Sequence, residues 1–236
     1  VELKRYDSLI AMSDGAIYAG VGQTLNFGWQ RENIIDFVEA VYDKKASAKM
    51  LSTLVLDECV RLYGQTPGDD TTIAAIRIRK REAVNLMIGP PSNPEDTNKM
   101  MALFFAKDGK HIVSGGTTST IASQYLGKPL LTTLDYIDPE IPPTSKLEGV
   151  DLVTEGVLTL SRTLTLLKTY LEENVDESFF LELDKDNGGS QIAKLLIEEC
   201  SVLHMFVGKA MNEAHQNPSL PIDLSIRMHL VEQMKD

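Results

Sequence analysis

The sequence predicts a chain of two parts that differ in class. An α+β segment spans residues 1–80, and a three-layer βαβ domain with a parallel sheet and a helical C-terminus spans residues 81–236. Three observations carry this expectation. Up to residue 79 the apolar patterns run strand, loop, helix, helix, loop, strand. Beyond residue 83 short apolar runs alternate with helical patterns of ten or more residues, which is the signature of βαβ units. A length of 236 residues with 43 % hydrophobic and 24 % charged residues allows each part its own buried core.

In the first part, DSLIAMS at residues 7–13 reads as a short strand stopped by Asp14-Gly15, and the glycine-rich AIYAGVGQTLNFG that follows reads as loop. From Gln30 to Tyr42 the residues Ile34, Ile35, Phe37, Val38 and Val41 recur at helical spacing. A second helical pattern over residues 46–63 carries Leu51, Leu54, Val55, Cys59 and Leu62. GQTPGDD breaks that helix, and TTIAAIRIR resumes as a strand with Ala74, Ile76 and Ile78 on one face. Trp29, in the NFGW stretch, reads as a core anchor for the helix after it.

The charged run at residues 77–82 places a boundary near 79–83. After it the pattern predicts a strand over 83–88, a helix over 96–106, an Asp-Gly-Lys turn and a strand over 111–114. A glycine-threonine loop then leads into a helix over 118–126. A proline-rich connector at 138–144 precedes a strand at 150–153 and a helix at 157–172. The run from Gln191 to Ala214 places Ile192, Leu195, Leu196, Leu203, Phe206 and Val207 at helical spacing, and one more helix is expected over 222–234. Met205, Phe206 and Met211 are surplus to one apolar face, which points to a homodimer.

Composition narrows the partners. Thirty-four acidic against twenty-three basic side chains leave a formal charge of −11, which argues against a phosphate-backbone footprint and so against nucleic acid. No run approaches the eighteen apolar residues of a membrane span. The two cysteines, Cys59 and Cys200, lie far apart within apolar helical patterns and read as buried thiols of a reducing, cytoplasmic compartment. Cys200 and His204 are four apart on the expected helix, but two ligands do not make a zinc site.

Two acidic loops stand at strand ends, Asp14-Gly15 and Asp69-Asp70. Carboxylates in such loops suit the oxygen-preferring ions Mg²⁺ and Mn²⁺, and no histidine precedes residue 111. The same segments are also ordinary turn sequences in which Asp satisfies its own backbone. The stretches MSDGAIYAGVG, NFGWQRENIIDFV and LYGQTPGDDTTIAAIRIR, in that order, resemble the closing third of the metal-dependent, PP2C-like serine/threonine phosphatases of the bacterial stage II sporulation protein E type. The resemblance covers about residues 1–80 and implies that this segment is an incomplete PP2C-like β-sandwich. It implies that Asp14 and Asp69 are ligands of Mn²⁺ or Mg²⁺, with Asp70 beside the ligand and Gly15 at a tight backbone position. It also implies hydrolysis of a phosphoserine or phosphothreonine protein by a metal-bridged water. The family's earlier acidic segments, an Asp near its N-terminus and an Asp-Gly followed by Gly-His-Gly, do not occur in these residues. The expectation is therefore a C-terminal fragment with little activity of its own.

The second part carries HIVSGGTTSTIASQYLG. Ser114, Gly115 and Gly116 turn a strand into a helix that opens with Thr117, Thr118 and Ser119, so free amides and hydroxyls converge at a helix N-terminus. The segment has neither the lysine of a P-loop nor the spacing of a dinucleotide fingerprint. It reads either as an anion site for a phosphate-containing ligand or as a close strand–helix turn capped by a threonine. The strand ends at Gly89-Pro90 and at Thr154-Glu155 lie on the same sheet edge if the sheet is parallel, which makes Glu155 the expected acidic contact. A regulatory module that takes a phosphate-bearing ligand or a protein partner is the alternative function.

Overall fold

Alternating apolar residues build a small antiparallel pair at the start of the chain. In the structure, a computed structural model that describes residues 2–42, 46–66, 68–132, 141–172, 175–210 and 222–235, β1 (Ser8–Met12) pairs with β2 (Ile73–Arg77) in the register Leu9↔Ile76 and Ala11↔Ala74. The period-two pattern puts Leu9, Ala11, Ala74 and Ile76 on one face, and that face is exposed, Leu9 by 54 % and Ile76 by 57 %. The chain divides into two compact units, Val1–Lys80 with Glu172–Glu182, and Arg81–Leu171 with Leu183–Asp236.

In the first unit, the short turn of helix α1 (Asp14–Ile17) leaves β1, and α2 (Arg31–Val41) and α3 (Ala48–Leu62) supply the core. Helix α3 starts at Ser47, whose hydroxyl accepts the Met50 amide at 3.0 Å. Trp29 is buried as expected, edge-on to Phe37 at 5.2 Å, in a cluster with Ile34, Val55, Cys59 and Leu62. Burial pushes the Cys59 thiol up to about 11. Residues 172–182 group with this unit because Lys49 Nζ donates to the Glu172 carbonyl (2.7 Å) and Thr53 Oγ1 to the Val175 carbonyl (3.4 Å).

The second unit is a six-stranded mixed sheet with helices on both faces. Its strands are β3 (Ala83–Ile88), β4 (Lys110–Ser114), β5 (Leu131–Thr132), β6 (Ser145–Lys146), β7 (Leu152–Thr154) and β8 (Val202–Val207), in the order β5-β6-β7-β4-β3-β8. The four strands β7, β4, β3 and β8 are parallel, and β5 and β6 add an antiparallel edge. Val84, Leu86 and Ile88 pack with Leu160 and Leu164 of α6 (Val157–Leu171), Ile192 of α8 (Gly188–Glu198) and Leu230 of α9 (Ile222–Gln233). Met87, Val113 and Val153 face the other way, onto Met101 and Phe104 of α4 (Thr97–Phe105) and Ala122 of α5 (Gly116–Leu126). The class is therefore mixed α/β; α7 (Glu177–Leu183) belongs, up to Glu182, to the first unit.

One element corrects the expectation. The run Gln191–Ala214 is not a single helix. Helix α8 ends at Glu198, and Val202–Val207 is a strand in which all six residues pair with β3. VLHMFV is apolar or aromatic at nearly every position, so its periodicity does not separate buried strand from buried helix. Cys200 accordingly lies in the connection after α8 rather than on a helix, and His204 is on β8. His204 Nδ1 donates to Oδ1 of the fully buried Asn85 at 3.0 Å, and Asn85 Nδ2 donates to the Asp108 and Lys110 carbonyls. Met205 and Phe206 are used by the sheet's two faces, Phe206 edge-on to Phe104 at 5.3 Å, while Met211 lies outside the described residues.

Among the described residues no helix is long and apolar enough to cross a membrane.

Candidate functional site

The two acidic loops of the first unit lie side by side. The Ser13 amide donates to the Thr72 carbonyl (3.0 Å), the Ser13 hydroxyl donates to the Asp70 carbonyl (3.1 Å), and the Thr72 amide donates back to that hydroxyl (2.9 Å). Asp14 opens α1 directly after this knot, and Asp69 stands just before it, its Oδ1 accepting the Asp70 amide at 2.8 Å. Gly15 is required by the contact, since a Cβ on it would lie 2.5 Å from the Asp70 carbonyl oxygen and 2.8 Å from Thr71 Oγ1. The buried Tyr63 donates its hydroxyl to the Gly15 carbonyl at 2.8 Å, and burial, followed by the charges of Asp69, Cys59 and Asp14, raises its phenol above the ordinary value.

Whether these residues fit a two-metal centre is a matter of counting donors. Among the described residues no group of three or more His, Cys, Asp or Glu side chains is arranged to hold a metal ion. Asp14, Asp69 and Asp70 alone do not fit a pair of ions that each want six oxygen ligands.

The second unit holds a cavity of about 450 Å³ at the carboxyl edge of its parallel sheet, a size typical of small-molecule sites. Its topology explains the position. From β3 the chain moves through α4 to β4 and through α5 to β7 on one side, then returns by α6 and α8 to β8 on the other side of β3. The crevice opens where that order reverses. Gly89 and Pro90 line it after β3, Ser114 to Thr118 after β4, Glu155 after β7 and Ala210 after β8. Three strand ends named from the sequence are thus brought to one cavity.

The helix begins two residues earlier than its apolar pattern indicates, with Gly115 as its cap at φ 114° and Gly116 as its first residue. The first helical bond runs from the Ser119 amide to the Gly115 carbonyl, so the amides of Gly116, Thr117 and Thr118 precede it and have no acceptor among the described residues. The hydroxyls divide in use. Ser114 Oγ donates to the Glu155 carbonyl (2.7 Å) and Ser119 Oγ to the Gly115 carbonyl (2.8 Å), so both shape the loop. Thr117 is exposed at the mouth, and Thr118 is buried in the wall. The Glu155 carboxylate lies over the helix start, its two oxygens 3.6 and 3.7 Å from where a Cβ on Gly116 would sit.

Arg227 is the residue sequence reasoning missed. It lies on α9 far along the chain, lines the cavity while only 8 % exposed, and donates from Nη1 to the Gly208 and Ala210 carbonyls at 3.3 and 3.4 Å. Gly89, at φ 77°, admits it, since a Cβ there would be 2.3 Å from that nitrogen. A lone arginine in a helical pattern carries no signal of this placement.

Comparison of the chain with family models, with curated proteins and with solved structures found no match.

Proposed function

We propose that the first unit supplies part of the active site of a metal-dependent phosphoserine/phosphothreonine protein phosphatase of the stage II sporulation protein E type. The supporting observation is the knot of Ser13, Asp70 and Thr72, which holds the Asp14 loop against the Asp69 loop. In that reading Mn²⁺ or Mg²⁺ supplies the activated water, and this chain contributes Asp14 and Asp69, with Gly15 permitting their approach. On the same reading the 236-residue chain alone is inactive, because Asp14 and Asp69 do not complete a two-metal centre and no group of three or more metal-ligating side chains stands among the described residues. The test is Mn²⁺-dependent phosphate release from a phosphoserine peptide, assayed for the full-length gene product and for this chain. The full-length protein is expected to be active and to lose that activity with Asp14→Asn or Asp69→Asn. Robust hydrolysis by the isolated chain, or indifference to both substitutions, refutes it.

A second reading concerns the other unit and rests on the cavity at its sheet edge. There the unit acts as a regulatory module that binds a small ligand bearing an anionic group, phosphate included, at the amides of Gly116, Thr117 and Thr118. Calorimetric titration with inorganic phosphate and with small carboxylates tests it.

A further inference from the structure

We propose that the cavity in the second unit binds a molecule with an α-amino-acid head group, its carboxylate on the helix α5 amides and the Thr118 hydroxyl and its ammonium on Glu155. The proposal rests on the ligand-binding reading of this unit and adds to it the class of ligand.

Two independent features mark the carboxylate position. The amides of Gly116, Thr117 and Thr118 precede the first helical bond, belong to residues that line the cavity, and have no acceptor among the described residues. Beside them Thr118 is only 1 % exposed and lines the cavity, yet its hydroxyl has no hydrogen-bond partner among the described residues. Its neighbours Ser114, Ser119 and Thr120 all spend theirs on backbone carbonyls. A hydroxyl of a buried residue that opens on a cavity and bonds none of its described neighbours is placed to bond an occupant.

Charge then selects among anions. Among the described residues lining the cavity, the charged side chains are Glu155 and Arg227, one of each sign. Arg227 already donates to two carbonyls. A phosphate dianion placed on the helix amides would meet the Glu155 carboxylate with no surplus positive charge among the described lining residues to offset it. A ligand whose own cation stands next to its anion turns that repulsion into a charge-assisted hydrogen bond. The Glu155 oxygens lie 3.6 and 3.7 Å from the Cβ position of Gly116, so the acceptor for a cation stands beside the helix start that supplies the donors for an anion. Ile88, Val157, Leu158 and Leu160 line the remainder, which selects an apolar side chain over a charged one.

The experiment is thermal-shift screening of the whole chain with each of the twenty common α-amino acids, followed by calorimetric titration of those that stabilise it. Leucine, isoleucine, valine or methionine is expected to bind. Its N-acetyl derivative, which lacks the ammonium, and its amide, which lacks the carboxylate, should each bind about tenfold or more weaker. Glu155→Gln should weaken the free amino acid by a similar factor while leaving the N-acetyl derivative unchanged, and Thr118→Val should weaken both. The comparison of derivatives needs only the unaltered protein, so a variant that fails to fold leaves the test intact. If N-acetyl-leucine or inorganic phosphate binds as tightly as any free amino acid and Glu155→Gln has no effect, the head-group assignment falls and the anion site stands. If the folded chain binds no amino acid, no N-acetyl derivative and no phosphate, both fall.

Discussion

Replacing Gly15 by Ala sets two effects of opposite sign against each other. Gly15 lies in α1, where Ala is the better helix former by up to about 1 kcal/mol, so local propensity predicts a gain in stability. The structure predicts a loss. The added Cβ would stand 2.5 Å from the Asp70 carbonyl oxygen, about 0.9 Å inside the ordinary contact limit of 3.4 Å, and 2.8 Å from Thr71 Oγ1. The carbonyl is backbone and is held by the Ser13 hydroxyl, so it does not swing aside as a side chain would. Overpacking of this kind costs about 1–3 kcal/mol, which outweighs the propensity term over most of that range. The chain contains a single tryptophan, and Trp29 is buried in the same unit, so its fluorescence during urea titration reports this unit alone. Subtracting the full propensity gain leaves a net loss of about 0–2 kcal/mol, so with a denaturant slope of about 1.5 kcal/mol per M the midpoint should fall by up to about 1.3 M. A raised midpoint would show that the two acidic loops are not in contact as described, and the phosphatase reading would lose its support.

Two other outcomes follow from buried groups. Cys59 keeps its proton in the folded state because burial pushes its thiol up to about 11. The free thiolate of the unfolded chain forms at lower pH, so the contribution is fully present below about pH 9 and disappears as the pH rises through 11. Trp29 fluorescence should show the unit losing stability across that window, and a disulfide reagent at pH 8 should label the partly exposed Cys200 well before Cys59. Labelling of Cys59 at the faster rate overturns this. In the second unit, Asn85→Leu keeps the volume but strands the His204 Nδ1–H and the Asp108 and Lys110 carbonyls, costing about 1–3 kcal/mol. The melting temperature by circular dichroism should drop by about 2–12 °C, and a rise would mean the polar cluster is dispensable.

What the sequence by itself determined are features written in local order. Helices α2, α3 and α6 follow from apolar spacing, β3 from a continuous apolar run, and the turn at Ser114–Gly116 from glycine chemistry. The parallel sheet was legible because alternation of strands and long helices leaves few other ways to bury both. What only the tertiary structure decided depends on partners distant in the chain. Val202–Val207 becomes a strand because β3 offers it an open edge, and nothing within those six residues says so. Residues 172–182 join the first unit through bonds to Lys49 and Thr53, more than a hundred positions away. The availability of the Thr118 hydroxyl, the engagement of Ser114 and Ser119, and the arrival of Arg227 at the cavity are matters of which acceptor lies within reach after folding. Residue type names the groups that are able to bind a ligand, but only the assembled sheet edge shows which of them have been left with nothing else to bond.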